Sequence, residues 1–273
     1  LHIHAFSPLE VFQGANALGL SLGEFLGKLK DAGLGSLPGT AAEILDDEVR
    51  AILCPDKVNT SQWLEVIETA HQIGLKTTST IMFGHIETPR HWARHLIRLR
   101  DLQGRTGGIT EFVPLPFVHM EAPIYLKGEA RRGPSWRETV LIHSVSRLVL
   151  HPVIQNIQTS WVKLGPLGAG ICLDAGANDL GGTLMNETIT RSAGASHGQE
   201  FSPEKMDDLI KKLGKSPSQR STLYGVVNNA QELKSYAAIP LEEVVNNNVK
   251  KYSKKVKPQF FNTLDKKPQH ISE

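Results

Sequence analysis

The run Ser79-Thr80-Ile81-Met82-Phe83-Gly84-His85-Ile86-Glu87-Thr88-Pro89 constrains the fold more than any other stretch of the chain. β-Branched and apolar residues from Leu75 to Phe83 read as a strand that ends at Gly84. Thr88 and Pro89 then suit the N-cap and first position of a helix carrying Trp92, Leu96 and Leu99 on one face. Strand, short rim and helix make a βα unit, and parallel α/β proteins bind ligands at the C-terminal ends of their strands. His85 and Glu87 occupy that rim. The sequence therefore predicts that both face a ligand rather than a core, with an ordinary polar surface loop as the alternative.

The same rhythm runs through most of the chain. Residues 1–6 read as a short strand ended by Ser7-Pro8, and Ser21 to Lys30 as an amphipathic helix stopped by Gly33. Residues 36–40 form a short strand or turn, and a helix from Thr60 places Trp63, Val66, Ile67 and Ala70 on one face before Gly74. The helix from Pro89 ends near Gly104, and Ile109 to Val113 is a further strand. Ser135 to Leu150 reads as a helix, and Ile154 to Leu164 as a strand carrying Trp161 and Lys163. A last helix spans 203–213. Strands alternating with helices predict a parallel sheet with right-handed crossovers. With no G-x-G-x-x-G fingerprint, an α/β full or partial (β/α) barrel is favoured over a dinucleotide-binding sheet.

Bulk properties exclude several classes. No stretch approaches the ~18 consecutive apolar residues of a membrane span, and a net charge of +2 is too small to argue for nucleic acid. Lys250, Lys251, Lys254, Lys255 and Lys257 read as a solvated tail. Cys54 and Cys172, the two cysteines, imply an intracellular protein without a disulfide framework, cytoplasmic or in an organelle matrix. Both read as structural. Residues 1–225 are expected to form one barrel portion, and 226–273 a polar, basic tail.

Candidate chemistry lies along the expected rim. His2 and His4 share one strand face and read as a pair that binds substrate or moves protons; no third ligand stands at zinc-like spacing. His91 and His95, four residues apart on an outer helix, read as surface residues. Glu43 is open between a first-turn carboxylate serving the helix dipole and an acceptor for a ribose or an amine. Pro114-Leu115-Pro116-Phe117 suits a rigid wall for a flat ring, or a strand exit. Asn178-Asp179-Leu180-Gly181-Gly182-Thr183 suits a polyhydroxyl or heterocyclic ligand, or a tight turn. No nucleophile elbow, P-loop or triad spacing is present.

Several strings taken together resemble one family: HIHAFSP at 2–8, PGTAAEIL at 38–45, TIMFGHIETPR at 80–90, GITEFVPLPFV at 108–118, QTSWVKLG at 158–165 and ANDLGGTLMNETITR at 177–191. They are similar to the radical S-adenosylmethionine enzymes of deazaflavin biosynthesis, specifically the tyrosine-transferring second component of FO synthase. The resemblance runs in order from residue 1 to about 225. It implies a partial barrel of the radical type with S-adenosylmethionine and one 4Fe–4S cluster. The activity it implies is transfer of the 4-hydroxybenzyl group of tyrosine to 5-amino-6-(D-ribitylamino)uracil, with the other FO synthase component as a partner and neither nucleic acid nor membrane. By the same resemblance His85, Glu87 and His4 are catalytic, and Glu43, Ser79 and Phe117 bind the cofactor. His2, Trp161, Asn178, Asp179, Thr183 and Glu187 would bind substrate.

One departure is large. The family holds its cluster on C-x-x-x-C-x-x-C, in which three thiolates leave one iron open, and that motif is absent from these 273 residues. The chain therefore reads as an N-terminally truncated member, starting at about the family's third strand, with an open sheet edge and no cluster of its own. Two alternatives remain: a related radical enzyme of the futalosine route to menaquinone, and a non-catalytic remnant.

Overall fold

A computed structural model describes residues 1–183 and 187–241. The lysine-rich segment around Lys250, and Leu184-Met185-Asn186 of the glycine-rich string, lie outside the described residues. The elements in chain order are β1 (Ile3–His4), α1 (Pro8–Leu18), α2 (Leu22–Asp31), β2 (Leu34–Leu37), α3 (Asp47–Leu53), α4 (Thr60–Gln72), β3 (Lys76–Phe83) and α5 (Pro89–Thr106). They continue with β4 (Ile109–Pro116), α6 (Pro123–Leu126), α7 (Trp136–Leu150), α8 (Trp161–Asp174), α9 (Ile189–Ser192), α10 (Pro203–Lys212) and α11 (Asn229–Tyr236).

The sheet runs β1-β2-β3-β4, all neighbours parallel. It extends through parallel bridges from Phe112 to Ile157 and from Gln158 to Asp179. Every new strand position is thus added on the same side, in chain order. A doubly wound sheet reverses that order at a switch point. This one does not, and the architecture is a partial (β/α) barrel.

Local sequence explains the joints. Ser7, Ser21, Asn59 and Ser135 each cap a helix in a reciprocal box with the residue three positions on. Gly39 lets the exit of β2 lie against β3: its N–H donates to Thr78 Oγ1 and its carbonyl accepts from Thr80 Oγ1, both at 2.8 Å. A Cβ there would meet the Thr78 carbonyl oxygen at 2.1 Å. Behind the sheet, Ile81 and Phe83 pack on Trp92, Leu96 and Leu99 of α5, with Phe83 and Trp92 edge to face at 5.7 Å.

Two expectations are corrected. His95 is not a surface residue; it is fully buried, and its Nδ1 accepts the Leu45 N–H at 2.9 Å. The helix packs its apolar face on the sheet, with α4 and α7 as its neighbours, so the face that carries Leu96 and Leu99 carries His95 too. The segment 154–164 is not one strand either. Only Ile157 and Gln158 form bridges, and Trp161 and Lys163 lie in the first turn of α8. That helix is broken at Gly165, where φ is 69° and ψ 174°. A further helix, α1, follows directly on Ser7-Pro8, where the sequence was read only as the end of a strand.

The end of the barrel where strands begin is tied by charge. Arg220 pairs with Asp179 and donates to Glu111 at 3.1 Å, the Tyr224 hydroxyl donates to Glu111, and the guanidinium lies 4.0 Å from the Tyr224 ring centroid. The chain beyond α10 thereby joins β4 to the strand position at Asp179.

Buried histidines make this fold sensitive to acid. Burial pushes His95 down to about 3 and His71 to about 4, and also lowers His143. Below the ordinary histidine value of 6.5 the unfolded chain takes up protons that the folded chain refuses. Stability is therefore lost as pH falls from there, by about 1.4 kcal/mol per pH unit for each histidine kept neutral. Urea midpoints should fall steadily from about pH 6.5 to 4, and His95→Gln should reduce the slope by roughly one proton's share. A flat profile over that range would contradict the burial of these rings.

Candidate functional site

The rim loop after β3 is organised by Glu87. Its Oε1 accepts from Gly84 N–H at 2.6 Å, Trp92 Nε1 at 3.1 Å and Arg131 at 3.1 Å, while Oε2 accepts the His85 N–H at 2.8 Å. The carboxylate has no exposed surface. Burial raises its pKa, but the two amides and Arg131 outweigh that and hold it below the ordinary value. His85 is equally occupied: Nδ1 accepts the Ile86 N–H at 2.8 Å and Nε2 donates to the Met82 carbonyl at 2.9 Å. That pattern fixes the neutral tautomer, and burial keeps the ring from gaining a proton more than Glu87 favours one. The expectation that these two side chains point at a ligand is corrected. They satisfy the loop's own polar groups, and no donor is left over.

What they position is Phe117. The His85 ring meets it edge to face at 5.9 Å. Phe117 N–H donates to the Phe83 carbonyl, and Arg131 N–H to the His85 carbonyl. Gly84, at φ 98°, leaves room for Pro134, which would stand 2.2 Å from a Cβ. The exit of β3, the exit of β4 and the loop leading into α7 are thus one unit.

That unit forms one side of a pocket of about 330 Å³, within the usual range for small-molecule sites. Pro116, Phe117, Pro134 and Trp136 give it flat apolar walls, and Lys163, Arg132, His119 and His197 give it polar groups. No Asp or Glu lines it. Trp136 is seated by Gly168, where a Cβ would come within 2.6 Å of the indole. Lys163 is partly buried; its Nζ donates to Thr190 Oγ1 at 3.1 Å, and desolvation lowers its pKa against the pull of Glu187 and Glu43.

Glu43 stands on a strained turn next to this rim. Ala41 and Glu43 both take positive φ, 58° and 47°, which costs non-glycine residues energy and marks functional turns. Buried Arg50 secures the turn by donating to the carbonyls of Ala42 and Val58, and to Ala41 and Ile44 at 3.3 and 3.4 Å. The Glu43 carboxylate accepts from Lys57 Nζ at 2.9 Å, and its carbonyl takes the Met82 N–H.

The other expected residues are dispersed. Ser79 is buried mid-strand and donates to the Glu111 carbonyl at 2.9 Å, so it does not reach the rim. His2 and His4 share Ser36 Oγ at 2.7 and 2.6 Å at the β1 edge of the sheet, with β2 and β3 between them and β4. Trp161 is a core residue, packed on Phe201 at 5.5 Å with Nε1 donating to the Gly182 carbonyl. Asn178 accepts from Arg147 and from the Ile157 N–H, and Asp179 from Arg220 and the Gly181 N–H. Both belong to the opposite end from the pocket, since Glu111 lies five residues before Pro116 in β4, roughly 16 Å along the strand. The Thr183 carbonyl accepts from the Phe201 N–H. Glu187 accepts the Thr190 N–H with both oxygens at 3.1 Å, which sets the hydroxyl that Lys163 uses. Lys163, Thr190, Arg132 and Trp136 were not singled out from sequence.

A cluster of the kind the resemblance implies does not fit the thiols here. Cys54 and Cys172 are both buried, and desolvation raises the first and pushes the second up to about 11, whereas iron takes thiolates. Among the described residues one group of side chains has metal-like proximity, Asp46, Glu48 and His91, but the Arg94 guanidinium already bridges the two carboxylates at 3.0 and 3.3 Å. No helix of the described residues is long and apolar enough to cross a membrane.

Residues 106–233 match the family model described as the CofH/MqnC C-terminal region. Over 227 residues the chain is 52% identical to an FO synthase of Mycobacterium tuberculosis and 55% identical to one of Streptomyces coelicolor, alignments that cover 83% of this chain and 26% of each relative. It is 51% identical to a 5-amino-6-(D-ribitylamino)uracil–L-tyrosine 4-hydroxyphenyl transferase of Methanocaldococcus jannaschii, covering 83% of this chain and 63% of that one. The chain therefore spans about a quarter of the FO synthases and under two thirds of the transferase. A crystal structure of methylornithine synthase shares the fold, with a TM-score of 0.54 at 18% identity over 73% of this chain and 57% of that one.

Removing the hub exposes what it holds. Glu87→Ala leaves the Gly84 and His85 amides and the Trp92 indole N–H without their acceptor. At about 1–3 kcal/mol for each buried unpaired donor, the variant should lose at least about 3 kcal/mol in urea denaturation. A loss below about 1 kcal/mol would show that the loop does not depend on this carboxylate.

Proposed function

We propose that this chain, which belongs with the FO synthases through its CofH/MqnC C-terminal region, forms the substrate side of a barrel that transfers the hydroxyphenyl-bearing part of tyrosine to 5-amino-6-(D-ribitylamino)uracil. The observation that carries this reading is the rim pocket, flat-walled and free of carboxylates, in a chain half identical to FO synthases and to the named transferase.

The parts take these roles. Phe117 and Trp136 sandwich a ring, and His85 and Glu87 act as positioning residues that hold Phe117 against it. Glu43, on its clamped left-handed turn, offers a pre-set acceptor at the rim for the ribose or the methionine part of S-adenosylmethionine. Pre-organisation of this kind lowers the cost of orienting the reactants. In the family, S-adenosylmethionine and a 4Fe–4S cluster supply radical chemistry when bound. Since the thiols of this chain do not fit that cluster, its ligands would come from a polypeptide segment carrying C-x-x-x-C-x-x-C, and the other FO synthase component would act on the product.

A chimera tests the reading. In the Streptomyces coelicolor FO synthase, the matching 227 residues are replaced by those of this chain. Supplied anaerobically with tyrosine and the aminouracil, the chimera should form the hydroxybenzyl adduct, detected by mass spectrometry. A folded chimera that forms none, beside an active parent, would sink the proposal; an adenosylated product from a futalosine-type substrate would favour the menaquinone reading instead. Glu43→Ala or His85→Ala in the chimera should cut adduct formation about tenfold or more, or about 1.4 kcal/mol of transition-state stabilisation. Turnover unchanged by either would remove that residue from the site.

A further inference from the structure

We propose that Lys163 is the carboxylate-binding group of the rim pocket, and that the pocket selects an aromatic amino acid by pairing this ammonium with its carboxylate while the ring lies between Phe117 and Trp136. The inference rests on the transferase reading and adds to it a binding residue and the part of the substrate it recognises.

Three observations carry it. First, the pocket has one sign of charge. Lys163 lies partly buried within it and Arg132 is exposed among its lining residues, with no acidic residue in the lining. Second, Lys163 lacks a counterion. Of its three ammonium hydrogens, one goes to Thr190 Oγ1, and no ion pair to it is found among the described residues. The two carboxylates that influence it electrostatically are Glu187 and Glu43. Glu187 is turned to the Thr190 amide and Glu43 to Lys57. A partly buried cation without a counterion is costly, so an anion brought by a ligand gains more there than in water. Third, the walls suit a ring rather than a flexible chain: prolines at 116 and 134 cannot yield, and Trp136 is fixed against Gly168.

The test is a titration of the whole 273-residue chain, followed by tryptophan fluorescence and calorimetry. The probes are L-tyrosine, 3-(4-hydroxyphenyl)propionate, which lacks the amine, and tyramine, which lacks the carboxylate. The two carboxylates should bind within a few-fold of each other and tyramine about tenfold or more weaker, the scale of a charge-assisted hydrogen bond. Lys163→Met should weaken tyrosine about tenfold and abolish its advantage over tyramine, while Lys163→Arg should restore most of it. Equal binding of tyrosine and tyramine, tyrosine affinity unchanged in Lys163→Met, or no tyrosine binding by folded wild-type chain would each overturn the proposal. If Lys163→Met does not fold, as judged by circular dichroism, the wild-type series still decides. The aminouracil, titrated in parallel, separates the two levels: aminouracil binding without discrimination between tyrosine and tyramine overturns the role of Lys163 alone, and binding of neither substrate removes the transferase reading as well.

Discussion

The Glu87 carboxylate is the interaction on which the rim depends. A strand that ends at a barrel mouth leaves amide groups with no ladder partner, and buried amides must find an acceptor. Glu87 supplies it to the Gly84 and His85 amides at once, then reaches Trp92 on α5 and Arg131 ahead of α7. Arg131 in turn donates to Glu138 at 2.6 Å, and Glu138 closes the capping box of α7. One buried charge therefore ties a strand exit, two helices and a connecting loop. Its net charge is offset by a single guanidinium, because His85 is held neutral. The flat wall at Phe117 inherits its rigidity from this chain of contacts.

That arrangement explains which parts of the molecule were legible in the sequence. The strands at 76–83 and 109–116 and the helices from 60, 89, 136 and 203 fall where periodicity and capping residues place them, because both signals report how a segment buries one face. The orientation of His85 and Glu87 was not legible in that way. Rim position says where a residue sits, not whether the backbone beside it will claim its side chain first. His95 is a different kind of miss. At three, four and seven residues, Trp92, His95, Leu96 and Leu99 share the apolar stripe of α5, and that spacing already argued for burial against the polarity of the ring. Lys163 left a similar trace: a lone cation inside Trp-Val-Lys-Leu is unusual for a solvent-facing position. Asp179 could not have been resolved from sequence, since its partner Arg220 lies 41 residues away and reaches it only because the chain beyond α10 returns to the sheet.

The two ends of the barrel use charge in opposite ways. Where strands begin, Glu111, Asp179, Arg220 and Tyr224 form a closed network. Glu111 is buried enough that desolvation raises its pKa despite Tyr224 and Arg220. Such a network is self-satisfied and leaves little for a ligand; its role is to hold the returning chain in register. Where strands end, the charges are separated. Glu43 is matched by Lys57, Glu87 by Arg131, and Glu187 by backbone amide, so these three acids are each spoken for.

The consequence is a net positive rim built from a chain that carries almost as many acids as bases, 28 against 30. Overall charge gives no hint of it. The excess arises locally, because folding gives Glu43, Glu87 and Glu187 partners of their own while Lys163 has no ion pair among the described residues. Removing Lys57 would therefore matter to the pocket without touching it: the Glu43 carboxylate, released from its ion pair, would be free to act on Lys163, which it already influences electrostatically. The pairing of Glu43 with Lys57 is thus what keeps the rim cation open, and the strained turn that carries Glu43, clamped by Arg50, fixes that pairing in place. The same turn thereby preserves the separation of charge across the rim, with Glu43 held to Lys57 and Lys163 left without an ion pair among the described residues.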